Sequence, residues 1–513
     1  MIRAIITGAV GLCGVLIATP APATPRAPNI LVIVVDDMND WVGFAGGQAK
    51  TPNLDAAAAR GMVFANMQAP ATFCTPSRSA LMTGSAPWRS GNYRNQPALA
   101  TTPHLRTFAD LLGSAGYAVF GTGKVFHHTA GYLDRRGYRE WYLWNPQNRT
   151  RGWPLLPWGA GAPTPKRPVT RVPRYTGWPE FDTAELPDEL ESHMADSRAA
   201  AWAADKVGQA HDRPFLMTFG TYAPHKPNFV PKRYFDLYRS APIRLPLVVP
   251  GDVSDLPGDM HKRPLCCVSP VKPTIGSGAW PAHKLIVENG DWGRAVHGYL
   301  AAISYADEQI GRVLRALEAG PNRDNTLVVF LSDNGYHLGE KDKWAKHSLW
   351  QRTTNIPFFI LGPGVKAGRT TAPATLLDIM PTLLTAAGAP VPRWADGHDL
   401  TPILRSGLGN SHRRIVTAGN PGEWAVTDAR YRYIRYLDGT EELYDRAVDP
   451  LEATNLAASG AHARVRRRLA AAIPRNPARE GPSPEVGTLR LVIEGETFRW
   501  EAANDPVDAE GGD

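Results

Sequence analysis

Residues 29–35 read NILVIVV, a run without a charged side chain and rich in β-branched residues, and it is closed at once by Asp36 and Asp37. A strand that is apolar on both faces cannot lie on an exposed sheet; it fits a largely parallel sheet covered by helices on both sides. Parallel strands need long crossover connections, usually helical. The chain supplies them. Residues 53–60 read as a short helix closed by Gly61, residues 108–115 carry a helical stripe stopped by Gly116, and residues 117–122 return to strand. Residues 214–220 (PFLMTFG) are the next apolar run, a long amphipathic helix is predicted over 296–318 and ended by Gly320 and Pro321, and strands follow at 326–332 (TLVVFLS) and 356–361. The alternation predicts an α/β fold: a large, mostly parallel mixed sheet sandwiched by helices.

In such sheets ligands gather at the carboxyl ends of the strands, so the residues that follow each run indicate the site. Asp36 and Asp37 follow the first run, Asp333 and Asn334 follow TLVVFLS, Lys124 and His127 follow YAVFGTG, and His225 comes shortly after PFLMTFG. Four runs thus deliver ionisable or polar groups to one edge. Two acidic pairs, one of them with an amide, are all oxygen ligands and suit a hard cation such as calcium or magnesium better than zinc. Taken singly, each pair is also what a turn or a helix cap would contain. Arg78, Lys124, His127, His225 and Lys346 form a cationic set around that metal position. A divalent ion with fixed cations holds a multiply oxygenated anion and stabilises charge at its transition state, so sulfuryl or phosphoryl transfer is the reaction class.

The chain has 513 residues, 43% hydrophobic and 20% charged, enough for one large core and a smaller appended unit. Its formal charge of +7 is spread among intermixed acids and bases, which favours anionic partners and does not point to nucleic acid. Residues 1–23 read as an export signal with Arg3, an apolar stretch and Ala21-Pro22-Ala23, which places the protein in the periplasm or outside the cell; no stretch is long and apolar enough for a membrane span. Downstream, Cys74, Cys266 and Cys267 make an odd count in a compartment where disulfides form, and adjacent cysteines pair only through a strained ring. The expected organisation is a catalytic unit over 29–410, a smaller α+β unit with an antiparallel sheet over 411–500, and a mobile acidic tail over 501–513. The long segments 138–181 and 250–292, rich in Pro, Gly and aromatic residues, are expected as lids or substrate walls.

Cys74-Thr75-Pro76-Ser77-Arg78, continued by SALMTG, resembles the signature of type I sulfatases, Cys-x-Pro-x-Arg, in which a maturation enzyme oxidises the cysteine to formylglycine. NILVIVVDDMND, TPNLDAAAARGMVF, GTGKVFHH, SDNGYHLGEKDKWAKHSLW, LLDIMPTLL and LYDRAVDPLEATNLA look like successive landmarks of that family, part of the alkaline-phosphatase-like superfamily. GKVFHH, APHKPNFVP and KWAKHSLW are most similar to its iduronate sulfatase branch, although Asp333-Asn334 stands where that branch more often has Asp-His.

The resemblance implies that Asp36, Asp37, Asp333 and Asn334 hold one calcium, with residue 74 as a further ligand. Arg78 and His127 would fix the hydrated aldehyde, and Lys124, His225 and Lys346 would grip the sulfate and the bridging oxygen. An aldehyde hydrate attacks sulfur with one hydroxyl and later expels sulfate by collapsing to a carbonyl, with His127 taking the proton and His225 or Lys346 serving the departing oxygen. The implied substrate is a sulfated carbohydrate, with Arg135, Arg136, Arg139, Arg149, Arg151, Lys166, Arg167, Arg171 and Arg174 as anion contacts. Trp141, Trp144, Trp153 and Trp158 would offer sugar-stacking faces. Aryl or alkyl sulfate esters, phosphonate or phosphate esters, and a catalytically silent glycan-binding protein are the alternatives.

Overall fold

The computed structural model describes residues 27–94, 104–127, 137–142, 183–257, 283–288, 290–481, 489–494 and 497–502. Strand β1 (Asn29–Val35) lies inside an eight-stranded sheet with β2 (Met62–Phe64), β3 (Ala118–Gly123), β4 (Glu140–Tyr142), β5 (Phe215–Thr221), β6 (Thr326–Ser332), β7 (Phe358–Leu361) and β8 (Gly368–Thr370). The strand order is β8-β2-β7-β6-β1-β5-β3-β4. β1 runs parallel to β5 and to β6, with Val35 opposite Thr221 on one side and Ser332 on the other, and β3 runs parallel to β5. β7 is antiparallel to both β6 and β2, which makes the sheet mixed. The four runs singled out in the sequence are therefore neighbours that point the same way.

The lack of a polar face on β1 has a direct structural counterpart. Leu31, Ile33 and Val35 enter one core with α1 (Pro52–Ala58), α4 (Ala195–Gly208) and α5 (Trp292–Ala319). Ile30, Val32 and Val34 enter a second core with α2 (Cys74–Thr83), α3 (Phe108–Ser114) and α6 (Ile379–Ala386). Burial of each such side chain stabilises the fold by roughly 1.5–3 kcal/mol, so one strand ties the two layers together.

Element ends differ from the sequence expectation for local reasons. Pro214 and Pro357 have no N–H to give a ladder, and the strands start after them, at Phe215 and Phe358. Helix α1 starts at Pro52, a residue suited to the first turn, and Asp307 of α5 accepts from Leu54 N at 2.8 Å. Beyond this layer, β9 (Ile415–Ala418), β10 (Trp424–Thr427), β11 (Tyr431–Arg435) and β12 (Glu441–Asp445) form an antiparallel sheet, on which α7 (Ala463–Ala470) buries Leu469. Leu489–Glu494 and Thr497–Ala502 pair as a hairpin, so ordered strand extends past residue 500, where the acidic tail was expected to begin. The alternation in TFRWEA accounts for it.

The export signal, Cys266 and Cys267, the rest of the tail, and most of the two long segments lie outside the described residues. Trp141 is described and half-buried: its ring packs 4.9 Å from Tyr138 and 5.7 Å from Phe126, over Gly121 of β3. No helix among the described residues is long and apolar enough to cross a membrane.

β3 and β5 approach most closely at their carboxyl ends, where a Cβ on Gly220 would stand 2.2 Å from the backbone carbon of Lys124. Gly220→Ala is expected to lower stability by about 2–3 kcal/mol in urea unfolding. Gly293→Ala in α5, with nothing within 4 Å of the added carbon, should stay within about 1 kcal/mol of the parent. Equal urea midpoints for the two variants would contradict the close approach.

Candidate active site

The register between β1 and β6 sets the two acidic pairs side by side. Asp36 and Asp37 leave β1, Asp333 and Asn334 leave β6, and all four are buried. Asp37 adopts φ +60°, a left-handed conformation that a non-glycine residue keeps only when its surroundings hold it. Here its N–H donates to Asp333 Oδ1 at 3.0 Å and its carbonyl accepts from the Tyr299 hydroxyl of α5 at 2.6 Å. Asn334 Nδ2 donates to Ala71 O at 2.9 Å, while its Oδ1 is buried without a hydrogen-bond partner.

Cys74 opens α2. Pro76 fits the first helical turn, where its missing N–H has no intrahelical partner, and Gly84 ends the helix at φ +67°. The helix aims three side chains at the acidic pairs. Cys74 Sγ lies 3.5 Å from Asp36 Oδ1 and 3.8 Å from Asp37 Oδ1, and Ser77 Oγ donates to Asp333 O at 2.7 Å. Arg78 Nε donates to Asp333 Oδ2 at 2.7 Å, and its other nitrogens reach the carbonyls of Lys124 and Val125 and stand 3.3 Å from Asp36 Oδ1. Asp36, Asp37, Cys74 and Asp333 each place one ligand atom within 4.8 Å of the others.

Cations close the cluster. Lys124 pairs with Asp36. Lys346 Nζ lies 2.7 and 2.8 Å from the two oxygens of Asp37 and 2.7 Å from Cys74 Sγ. His225 Nε2 stands 3.7 Å from Asp37 Oδ2. Its Nδ1 lies 2.7 Å from Lys226 O, and because a carbonyl only accepts, Nδ1 carries the proton. His127, partly exposed, ends the described stretch after Lys124.

Charge is distributed unevenly over the carboxylates. Burial works against ionisation of Asp36, but Lys124, His225, Arg78 and Lys346 outweigh it and hold the group well below the usual range. Asp37 is pushed up to about 7 by burial, with Lys346 opposing and Asp36 and Asp333 adding to the rise. Burial also raises Asp333, against Arg78. The Cys74 thiol is driven well up by burial and then by Asp333, so as a thiol it is a poor nucleophile.

Lys346 reaches the cluster from a contorted loop. His337–Leu338 and Trp344–Ala345 form a two-residue ladder, and Lys341, Asp342, Ala345 and His347 all have φ between 55° and 71°. Such conformations cost roughly 1–2 kcal/mol per residue. His347 packs against Phe73, ring centroids 4.1 Å apart and the planes tilted by 57°, next to Cys74.

Direct contacts thus join Asp36, Asp37, Cys74, Arg78, Lys124, His225, Asp333 and Lys346, and Asn334 is adjacent. Two residues were not foreseen. Tyr222 lays its ring 4.6 Å from Lys124 Nζ and its hydroxyl 2.8 Å from His225 Nδ1, and Asp196 of α4 accepts from the N–H groups of Tyr222 and Ala223 at 2.8 and 2.9 Å. Tyr222 follows β5 directly and was open to the strand-end rule; Asp196, inside a helix, carries no such signal.

Known families and proteins resemble the chain over most of its length. The family model described as Sulfatase matches residues 28–389, and that described as N-sulphoglucosamine sulphohydrolase, C-terminal, matches residues 339–478. A sulfatase of Formosa agariphila is 32% identical over 83% of this chain and 82% of its own length. The Delta 4,5-hexuronate-2-O-sulfatase of Bacteroides thetaiotaomicron is 27% identical over 88% and 89%. Among solved structures, the phosphonate monoester hydrolase of Agrobacterium radiobacter superposes with a TM-score of 0.67 at 20% identity, over 86% of this chain and 94% of that one, and shares the alkaline-phosphatase-like fold. With most of its length under one family model and its helix-opening cysteine set among buried carboxylates, the chain belongs to the sulfatase family and is a sulfuric ester hydrolase.

Proposed function

We propose that this sulfatase releases inorganic sulfate from a sulfated glycan, in the manner of the iduronate sulfatase branch. Cys74 is converted to formylglycine by a dedicated maturation enzyme, and calcium is held by Asp36, Asp37, Asp333, Asn334 and residue 74. The observation that carries the reading is the position of Cys74 Sγ, 3.5 and 3.8 Å from two buried carboxylates and 2.7 Å from the ammonium of Lys346. The donor set fits a hard divalent cation. Three buried carboxylates converge, the partnerless Oδ1 of Asn334 adds a neutral oxygen, and Asp37 shifts as a group short of positive charge does.

When present, the ion and the aldehyde supply an activated oxygen nucleophile that is regenerated after sulfate leaves. The chain's own groups do the rest. Lys124 beside Asp36 and Lys346 beside Asp37 set two ammonium groups against the anionic ester. His225, its Nδ1–H bound to Lys226 O, turns Nε2 toward the site, and in its protonated form that nitrogen would donate to the bridging oxygen, a role it shares with Lys346. His127 takes the proton that residue 74 must lose. Arg78 donates to Asp333, stands 3.3 Å from Asp36 and so braces the carboxylates beside residue 74, where with His127 it would fix the hydrated aldehyde.

The glycan reading is supported by the hexuronate 2-O-sulfatase named above and by the basic excess of the chain. The catalytic unit is taken as residues 29–410 and the smaller unit as 411–500, with the protein exported to the periplasm or beyond. The phosphonate monoester hydrolase fold keeps phosphorus esters as the second reading. Sulfated oligosaccharides should release sulfate faster than matched phosphate or phosphonate esters release their product; hydrolysis confined to small aryl or alkyl sulfates would remove the glycan.

Peptide mapping by mass spectrometry of residues 73–78 from active, natively produced protein should find residue 74 without sulfur, and Cys74→Ala should lower kcat/KM by about a thousandfold or more. An unmodified cysteine throughout an active sample overturns this. Dialysis against a chelator should abolish turnover and calcium should restore it, whereas the Asp36→Ala, Asp37→Ala double variant should not respond to added calcium. His225→Ala and Lys346→Ala should each lose about 10²–10⁴-fold on sugar or alkyl sulfates and much less on aryl sulfates with good leaving groups. A loss independent of the leaving group would exclude both from service to the departing oxygen.

A further inference from the structure

The small C-terminal sheet grips the chain on both sides of the pocket. On the Cys74 side, Thr417 Oγ1 of β9 donates to Ala69 O at 2.7 Å, Ala418 N donates to Pro70 O at 2.9 Å, and Thr72 N donates to Ala418 O at 3.1 Å. On the Lys346 side, three consecutive residues each give one polar group to a different side chain. Leu349 O accepts from Arg432 Nη1 at 3.2 Å, Trp350 Nε1 donates to Glu442 Oε2 at 2.8 Å, and Gln351 N donates to Glu452 Oε2 at 2.7 Å. Arg432 and Glu452 are themselves paired at 2.6 Å, with side chains 0% and 2% exposed. Lys341, at the start of the same loop, donates to Glu452 O and, at 2.6 Å, to Asp252.

These contacts bracket a segment that would not keep its shape unaided. Between Lys341 and Leu349 the backbone visits the left-handed region four times, and its only ladder is two residues long. A strained segment persists where its surroundings over-determine it; here β11, β12 and the turn after them fix both its ends, while Phe73, His337 and Asp37 contact its middle. Buried ion pairs contribute little net stability, so Arg432–Glu452 is better explained by the geometry it fixes than by energy.

We infer that the C-terminal sheet is a positioning device for Lys346: Glu452, with Arg432 and Glu442, holds residues 349–351 so that the loop carries the ammonium to Asp37 and residue 74. Glu452, Arg432 and Trp350 act through Lys346 and are positioning residues. The inference rests on the reading above that Lys346 grips the ester.

The test is a double-mutant cycle on the full-length, matured enzyme. Glu452→Gln removes the ion pair; Trp350→Phe removes the indole N–H that donates to Glu442, together with part of the ring that packs near Lys341 and Lys343. Turnover of an aryl sulfate and the Kd for inorganic sulfate are measured for each variant, alone and combined with Lys346→Ala, well below its thermal midpoint. Each variant alone is expected to lose on the order of tenfold in kcat/KM and to weaken sulfate binding. In the Lys346→Ala background each should change either quantity by less than about twofold, because the interaction is already lost. The same factor in both backgrounds means general loosening and overturns the inference, as does full activity of folded variants. If Glu452→Gln does not fold, Trp350→Phe decides alone, and the Kd carries the comparison if Lys346→Ala does not turn over. Normal activity and sulfate binding in Lys346→Ala itself would instead remove the assigned role of that lysine, and this inference with it.

Discussion

Three carboxylates, Asp36, Asp37 and Asp333, are taken out of water at the carboxyl ends of two adjacent parallel strands, and much of the surrounding structure answers to that charge. Desolvating an ion costs several kcal/mol even after relaxation, and pairing seldom recovers more than that. Arg78, Lys124 and Lys346, each buried, stand against the three acids. Such an arrangement is a poor way to stabilise a fold and a good way to prepare a site that binds a cation and an anion side by side. The layers then follow: a strand that presents acids at this depth must be covered on both faces, and β1 is.

The second constraint is conformational. Asp37, Ala345 and His347 hold left-handed backbones around one pocket, and each is kept there by contacts made elsewhere in the molecule. α5 holds Asp37 through the Tyr299 hydroxyl, and Phe73 holds His347 through its ring. The site is thus shaped by elements that contribute no ligand to it. Removing one cation would leave an unmatched buried acid, whereas removing a support would move a cation without changing the net charge.

What could be read beforehand divides along these lines. Strand-end groups were legible because NILVIVV and TLVVFLS have no polar face, which fixes a parallel interior and sends Asp36, Asp37, Asp333 and Asn334 to the same edge. Cys74 was legible from the residues that follow it. Asp196 was not, since a carboxylate that accepts from the backbone of another element leaves no periodicity. Nor were Arg432 and Glu452, which lie in the antiparallel unit, where no strand-end rule marks them, and are buried as a pair. Arg78 was placed near the reacting centre but not in its posture, because sequence does not say which carbonyls a guanidinium will find. The packing of Trp141 was not legible for a related reason: Gly121, 20 residues earlier, leaves the gap its ring fills.

Cys74 has no solvent-accessible surface, sealed beneath Lys346 and the opening turn of its helix. A maturation enzyme of the kind proposed above would find no exposed surface of this side chain in the folded protein. On the proposal that residue 74 is matured, the burial of Cys74 favours an encounter before the chain has closed around it. A chain that closed first would then keep a buried thiol here, and burial makes that thiol a poor nucleophile.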